Sequence, residues 1–109
     1  MSFYVTSENI RIEQSNGRNY LVGRARREDS SMKDVRLDLD EFIGNHGGRF
    51  EWGGKDFTRT AENVRFNFEG GANVPVLRAI LKNAEGNPMD ADLNLGERIK
   101  NIDGDLVYA

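Results

Sequence analysis

The chain repeats itself at about half its length, and this constrains the fold more than any other feature of the sequence. Leu37-Asp38-Leu39-Asp40-Glu41-Phe42-Ile43-Gly44-Asn45-His46-Gly47-Gly48-Arg49-Phe50-Glu51-Trp52 aligns, 56 positions on, with Leu93-Asn94-Leu95-Gly96-Glu97-Arg98-Ile99-Lys100-Asn101-Ile102-Asp103-Gly104-Asp105-Leu106-Val107-Tyr108. Both leucines, the glutamate, the isoleucine, the asparagine and the second glycine are identical. Upstream, Phe3 and Thr6-Ser7-Glu8-Asn9-Ile10-Arg11-Ile12 match Phe57 and Thr60-Ala61-Glu62-Asn63-Val64-Arg65-Phe66 at a spacing of 54. The difference of two falls where Asn67–Val76 outruns Glu13–Tyr20, as expected of a hairpin loop. The repeats cover roughly residues 1–53 and 54–109. Neither is long enough to bury its own apolar face, so they are expected to fold as a single domain over 1–109.

Each copy is patterned for antiparallel β structure. Leu21, Gly23 and Ala25 alternate with more polar neighbours, and Leu77, Ala79 and Leu81 keep the same phase. A period of two predicts strands with one buried face. Ser15-Asn16-Gly17 supplies hairpin-turn chemistry. Leu39, Phe42 and Ile43 then switch to i, i+3, i+4 spacing, which predicts one helical turn. Asp38 with Glu41, and Asn94 with Glu97, have the spacing of a capping box at its start. The expected class is therefore all-β, with mainly antiparallel strands and short helical turns.

Composition narrows the function. The chain has no Cys and a single His, which excludes disulfides, Cys-ligated metal and multi-His sites. A net charge of −3 argues against a general nucleic-acid binder. Arg24-Ala25-Arg26-Arg27 adjoins Glu28-Asp29 and is expected to be a solvated strand face. No basic and apolar leader opens the chain and no long apolar run follows. A soluble protein, cytoplasmic or unconventionally secreted and without membrane insertion, is the expectation.

No motif provides an enzyme. Asp90-Ala91-Asp92-Leu93-Asn94 follows the start of a calcium loop, but Leu95 and Asn101 stand where glycine and glutamate are required. His46 has no nucleophile motif beside it and becomes Ile102 in the second copy. No metal, cofactor or catalytic residue is expected. Asn101-Ile102-Asp103-Gly104 is explained as a turn by its Asn, Asp and Gly. The same amide and carboxylate also suit sugar hydroxyls, which both donate and accept.

With these residues in view, the chain resembles the cyanovirin-N homology family. Its two repeats each end in Leu-x-Leu-x-x-x-Ile-x-Asn-x-x-Gly-x-apolar-x-aromatic, and the resemblance spans the whole chain. Trp52-Gly53-Gly54 and the missing cysteines are similar to the filamentous-fungal branch. The resemblance implies a pseudo-symmetric fold in which the repeats exchange strands. Half A would combine roughly 1–42 with 98–109, and half B roughly 43–97. It further implies a lectin for high-mannose glycans ending in α1-2-linked mannose, borne on oligosaccharides or glycoproteins. Its alternative is a protein-interaction or structural module that keeps the fold and binds little glycan.

By the same resemblance, the half-A pocket falls on Ser2, Val5, Thr6, Arg26, Glu28, Asn101, Ile102 and Asp103. Arg26 and Glu28 depart from the usual acid and hydroxyl there. The half-B pocket falls on Asn45, Gly47, Lys55, Asp56, Arg59, Thr60 and Asn83, and departs further. Gly47 has no carboxylate, Arg59 replaces an acid, and Ala84 and Gly86 replace long polar side chains. One weak site, in half A, is the expectation, at roughly −4 to −8 kcal/mol. The family's disulfide positions fall on Ser7, Ala25, Ala61 and Leu81. Gly53-Gly54 stands where relatives carry a stiffer hinge, which predicts mostly monomer with a domain-swapped dimer accessible.

Overall fold

The computed structural model describes residues 3–109. The first repeat opens with a 3₁₀ turn, Phe3–Thr6, and forms β1 (Ser7–Ser15), β2 (Arg18–Arg26) and β3 (Met32–Asp38). A second 3₁₀ turn, Leu39–Glu41, leads into the hairpin β4 (Ile43–His46) and β5 (Arg49–Trp52). The second repeat follows the same order: 3₁₀ turn Phe57–Thr60, β6 (Ala61–Glu69), β7 (Val74–Lys82), β8 (Pro88–Asn94), 3₁₀ turn Leu95–Glu97, β9 (Ile99–Ile102) and β10 (Asp105–Tyr108). Two antiparallel three-stranded sheets, β1-β2-β3 and β6-β7-β8, and two two-stranded hairpins result. The fold is all-β and pseudo-symmetric, with extents of 50 × 31 × 21 Å.

The strand phase follows the alternation in the sequence. Leu21 and Ala25 are fully buried, and so are Leu77 and Leu81, with Ala79 nearly so. They join Leu39 and Leu95 of the 3₁₀ turns, Ile43 and Ile99, which open β4 and β9 rather than continuing a helical turn, and the fully buried Phe3 and Phe57 in one core. At the helical turns, Asp38 and Asn94 each accept a hydrogen bond from the second following residue, Asp40 or Gly96, at 3.0 and 2.9 Å. The reciprocal half of the expected capping box does not form. A three-residue turn is too short to bring the glutamate back, and Glu97 instead accepts from Trp52 Nε1 at 3.3 Å.

The sequence repeat encodes an irregularity as well as the strands. Asn9 and Asn63 adopt left-handed φ of 56° and 54°, each in a bulge where the register of the first hairpin slips. Asparagine is among the non-glycine residues best suited to that region. Opposite the first bulge, a Cβ on Gly23 would lie 2.6 Å from Ile10 Cδ1. The second copy moves bulk across the strand pair, with Ala79 opposite the smaller Val64.

Hairpins exchange between the repeats. The hairpin β4–β5 packs on β8 and the Phe57–Thr60 turn, while β9–β10 packs on β3 and the Phe3–Thr6 turn. Trp52 and Tyr108, equivalent residues at the hairpin ends, stack at 5.7 Å between centroids and 17°. Phe42 stacks on Tyr108 at 4.7 Å and 5°. The junction between repeats is bonded along its length. Gly53 N donates to Phe42 O at 2.8 Å, and Asp56 N donates to Asp40 O at 2.9 Å. Backbones at Gly44 and Gly54 approach so closely that a Cβ on either would meet the other at 3.0 Å or less.

Ser7 and Ala25 are direct partners across β1 and β2, and Ala61 and Leu81 across β6 and β7. The four positions marked by the family's cysteines thus form two facing pairs. In place of a covalent link, Ser7 Oγ donates to Phe3 O at 2.6 Å and Leu81 fills the core.

Candidate carbohydrate-binding site

The turn Asn101–Gly104 is organised by one amide. Asn101 Oδ1 accepts from Gly104 N at 2.8 Å, closing the turn on itself. Its Nδ2 donates to Thr6 Oγ1 at 2.8 Å and to Arg26 O at 3.0 Å. One side chain therefore ties the last hairpin to the first 3₁₀ turn and to the end of β2. Gly104 is required because its φ is 90° and a Cβ there would lie 2.7 Å from Arg27 Cγ.

Asp103 occupies the left-handed region at φ 50° and accepts from Glu28 N through Oδ1 at 2.9 Å. This pins the β2–β3 loop against the turn. Oδ2 has no partner among the described residues, so one carboxylate oxygen is left to accept a hydroxyl. Within the same loop, the Ser31 hydroxyl and amide donate to Asp29 and hold its carboxyl below the ordinary aspartate range. The loop is thus braced internally as well as at its tip.

Val5, Thr6, Ser7, Glu8, Arg26 and Met32 line a shallow hollow of about 210 Å³ beside this framework. Val5, Thr6 and Arg26 are sequence-expected residues and share the hollow. Glu28, Ile102 and Asp103 are exposed on the adjoining loop and turn, Ile102 to 59%, and do not line the hollow. Asn101 is the strut behind them. Ser2 lies outside the described residues. Ser7, Glu8 and Met32 are not among the site residues expected from the sequence. Strand register was the available signal, since Ser7 pairs with Ala25 and Arg26 pairs with Met32.

The second candidate site reproduces the strut. Asn45 Nδ2 donates to Thr60 Oγ1 and Lys82 O, both at 2.8 Å, and Asn45 Oδ1 accepts from Gly48 N at 2.9 Å. The rim differs. Gly47, left-handed at φ 62°, stands where the other turn carries Asp103, so no carboxylate reaches the β7–β8 loop. Asn83 turns inward on that loop, its Oδ1 accepting from Glu85 N at 3.0 Å and Asn87 N at 2.9 Å. Asp56 pairs with Arg18 at 3.3 Å within the junction. Lys55 and Arg59 are exposed.

Two repeats that exchange hairpins, each hairpin strapped by an asparagine amide to the other end of its half, define a duplicated β domain with a shallow polar site beside the strap. The chain belongs to the CVNH domain family, whose model matches residues 3–107. It is 47% identical over 107 residues to a cyanovirin-N homolog of Neurospora crassa, covering 97% of this chain and 96% of that protein. The solved structure of a designed cyanovirin-N homolog lectin superposes with a TM-score of 0.90 at 41% identity, covering 100% of both chains. Two more distant structures share the fold. One is a complex of microvirin with mannobiose (TM-score 0.85, 22% identity, 99% and 98% covered). The other is a MoCVNH3 variant with (N-GlcNAc)4 (TM-score 0.79, 21% identity, 98% and 96% covered).

Proposed function

We propose that this protein is a non-catalytic lectin that binds high-mannose glycans through terminal α1-2-linked mannose, weakly and at one site. That site belongs to half A, roughly residues 1–42 with 98–109. The observation that carries this reading is the difference between the two turns. Asp103 offers an unpartnered carboxylate oxygen on a turn that Asn101 ties to Thr6 and Arg26 of the hollow, whereas Gly47 offers none at the equivalent place. Charge-assisted hydrogen bonds to hydroxyls are the stronger kind, and a disaccharide makes few of them. Losing that acceptor removes a large share of a small binding energy. The mannobiose bound by microvirin supports the sugar class, and the shallow, open site supports low affinity. The partners are then mannose-containing oligosaccharides or glycoproteins, met mostly by a monomer with a domain-swapped dimer accessible.

Titration with α1-2-mannobiose, followed by amide NMR, tests the reading. Shifts are expected at Val5, Thr6, Arg26 and 101–103, saturating between micromolar and millimolar sugar. Asp103→Asn keeps the turn, because Asn tolerates left-handed φ and its Oδ1 can still accept from Glu28 N. It should weaken binding at least threefold. Shifts confined to 55–60 and 83–86 overturn the site assignment. Silence at millimolar mannoside favours the interaction-module reading, and a response to (GlcNAc)4 alone overturns the mannose specificity.

A further inference from the structure

Beside the Thr6 hollow lies a second and more apolar one. Tyr4, Val5, Phe68, Ala72 and Asn73 enclose about 510 Å³ between the first 3₁₀ turn and the tip of the β6–β7 hairpin. Val5 and Phe68 are large apolar residues left 58% and 42% exposed. The rings of Tyr4 and Phe68 stand 6.4 Å apart at 54°, open to solvent. They are braced from behind, Tyr4 edge-on to buried Phe3 at 5.9 Å and Phe68 edge-on to Phe66 at 5.3 Å.

The repeat does not require this surface. Under the repeat, Thr58 and Arg59 are equivalent to Tyr4 and Val5, and Gln14 to Phe68. The hairpin there is two residues shorter and turns at Asn16-Gly17, so it lacks the Gly70–Asn73 tip that walls the hollow. An apolar patch with fixed rings, present at one of two symmetry-equivalent places alone, is unfavourable for the free protein and is characteristic of a binding surface.

Its occupant follows from continuity. Val5 lines both hollows, so a ligand seated at Thr6 and Arg26 and extended by one unit crosses Val5 onto the rings. A pyranose has a face of C–H groups and a rim of hydroxyls. The face matches Tyr4 and Phe68, and Asn73, which also lines the hollow, carries an amide suited to a rim hydroxyl. Resting on the lectin reading above, we propose that this hollow is an extension subsite that stacks a further pyranose of the same glycan. The protein would then prefer oligosaccharides longer than two units, with Phe68 the residue that sets the preference.

The test compares α1-2-mannobiose with linear α1-2-mannotriose on wild type, Phe68→Ala and Phe68→Tyr, by calorimetry and amide NMR. Wild type should bind the trisaccharide about three- to tenfold more tightly, in line with ring-stacking energies. Phe68→Ala should bring that ratio close to one and leave mannobiose affinity and Tm nearly unchanged, and Phe68→Tyr should restore it. The trisaccharide alone should shift the amides of Phe68, Ala72 and Asn73. An unchanged ratio in Phe68→Ala overturns the subsite, and so does equal weakening of both sugars. Shifts at these amides that track protein concentration without sugar would make the patch a self-association surface. Wild type binding neither sugar overturns the lectin reading and the subsite with it, an outcome visible without any variant.

Discussion

Asn101 donates to Thr6 Oγ1 at 2.8 Å across 95 positions of sequence, and Asn45 makes the same bond to Thr60 across 15. One contact, made twice, locates both exchanged hairpins. In the second copy it is a local contact, and in the first it joins the two ends of the chain.

The Asn101 strap is therefore structural before it is functional. Asn101→Ala removes three hydrogen bonds, at roughly 0.5–1.5 kcal/mol each, and should cost about 1.5–4.5 kcal/mol in urea denaturation. Amide exchange should accelerate across β9 and β10 while the β6–β8 sheet is unaffected. Loss of glycan binding with unchanged stability would show instead that Asn101 acts on ligand directly. Asp103→Asn, which leaves the strap intact, is the cleaner probe of sugar binding.

Asp40 is 1% exposed and its carboxylate is fully partnered. It accepts from Thr58 N at 2.9 Å, Thr58 Oγ1 at 2.7 Å and Asn19 N at 2.9 Å, pinning the second repeat to β2 of the first. At the equivalent place near the N-terminus, Gly96, Pro75 and Tyr4 pack together instead. Asp40→Ala strands these donors and should cost about 2–4 kcal/mol. Asp40→Asn should also destabilise by about 1–3 kcal/mol, because either orientation of the amide sets its NH₂ against a backbone N–H. Full stability in Asp40→Asn would contradict the network.

A Cβ on Gly23 would meet Ile10 Cδ1 at 2.6 Å, and beyond it the backbone oxygens of Glu8 and Asn9 at 3.0 and 3.1 Å. Gly23→Ala should cost about 1–3 kcal/mol by overpacking. Ile10→Val alone should cost about 0.5–1.5 kcal/mol. Ile10→Val removes the nearest of the clashing atoms, so the double variant should be more stable than the sum of the single changes. Strict additivity in thermal unfolding would contradict the clash.

Glu69 receives two bonds from Arg78, from Nε and an Nη, both at 2.7 Å. The guanidinium holds its carboxyl below the ordinary glutamate range. A carboxyl with a depressed folded pKa contributes stability above its unfolded pKa and loses it as pH falls through the folded value. Acidification below the ordinary glutamate range should therefore loosen the β6–β7 hairpin, and with it the wall of the Phe68 hollow. A carboxyl titration by NMR should place Glu69 below its value in Arg78→Gln. Coincident midpoints would remove the argument.

The sequence by itself determined the duplication, the strands and the turns, because these depend on residues close together in the chain. Alternation at Leu21–Ala25 sets which face is buried. Asn9 and Asn63 mark the bulges, and Gly48 and Gly104 close the turns, through backbone preferences that act within a few residues. Family resemblance extended this to the pocket, placing Val5, Thr6 and Arg26 in one region. Only tertiary structure decided what joins them. Nothing in the sequence set Asp40 apart, since nothing local shows that Asn19 and Thr58 converge on it. Glu8, Met32 and Phe68 acquire their places from strand register and from the packing of one hairpin tip on the chain's first turn. Those contacts join residues up to 95 positions apart, and hydrogen-bond geometry between such groups exists only once the core has brought them together.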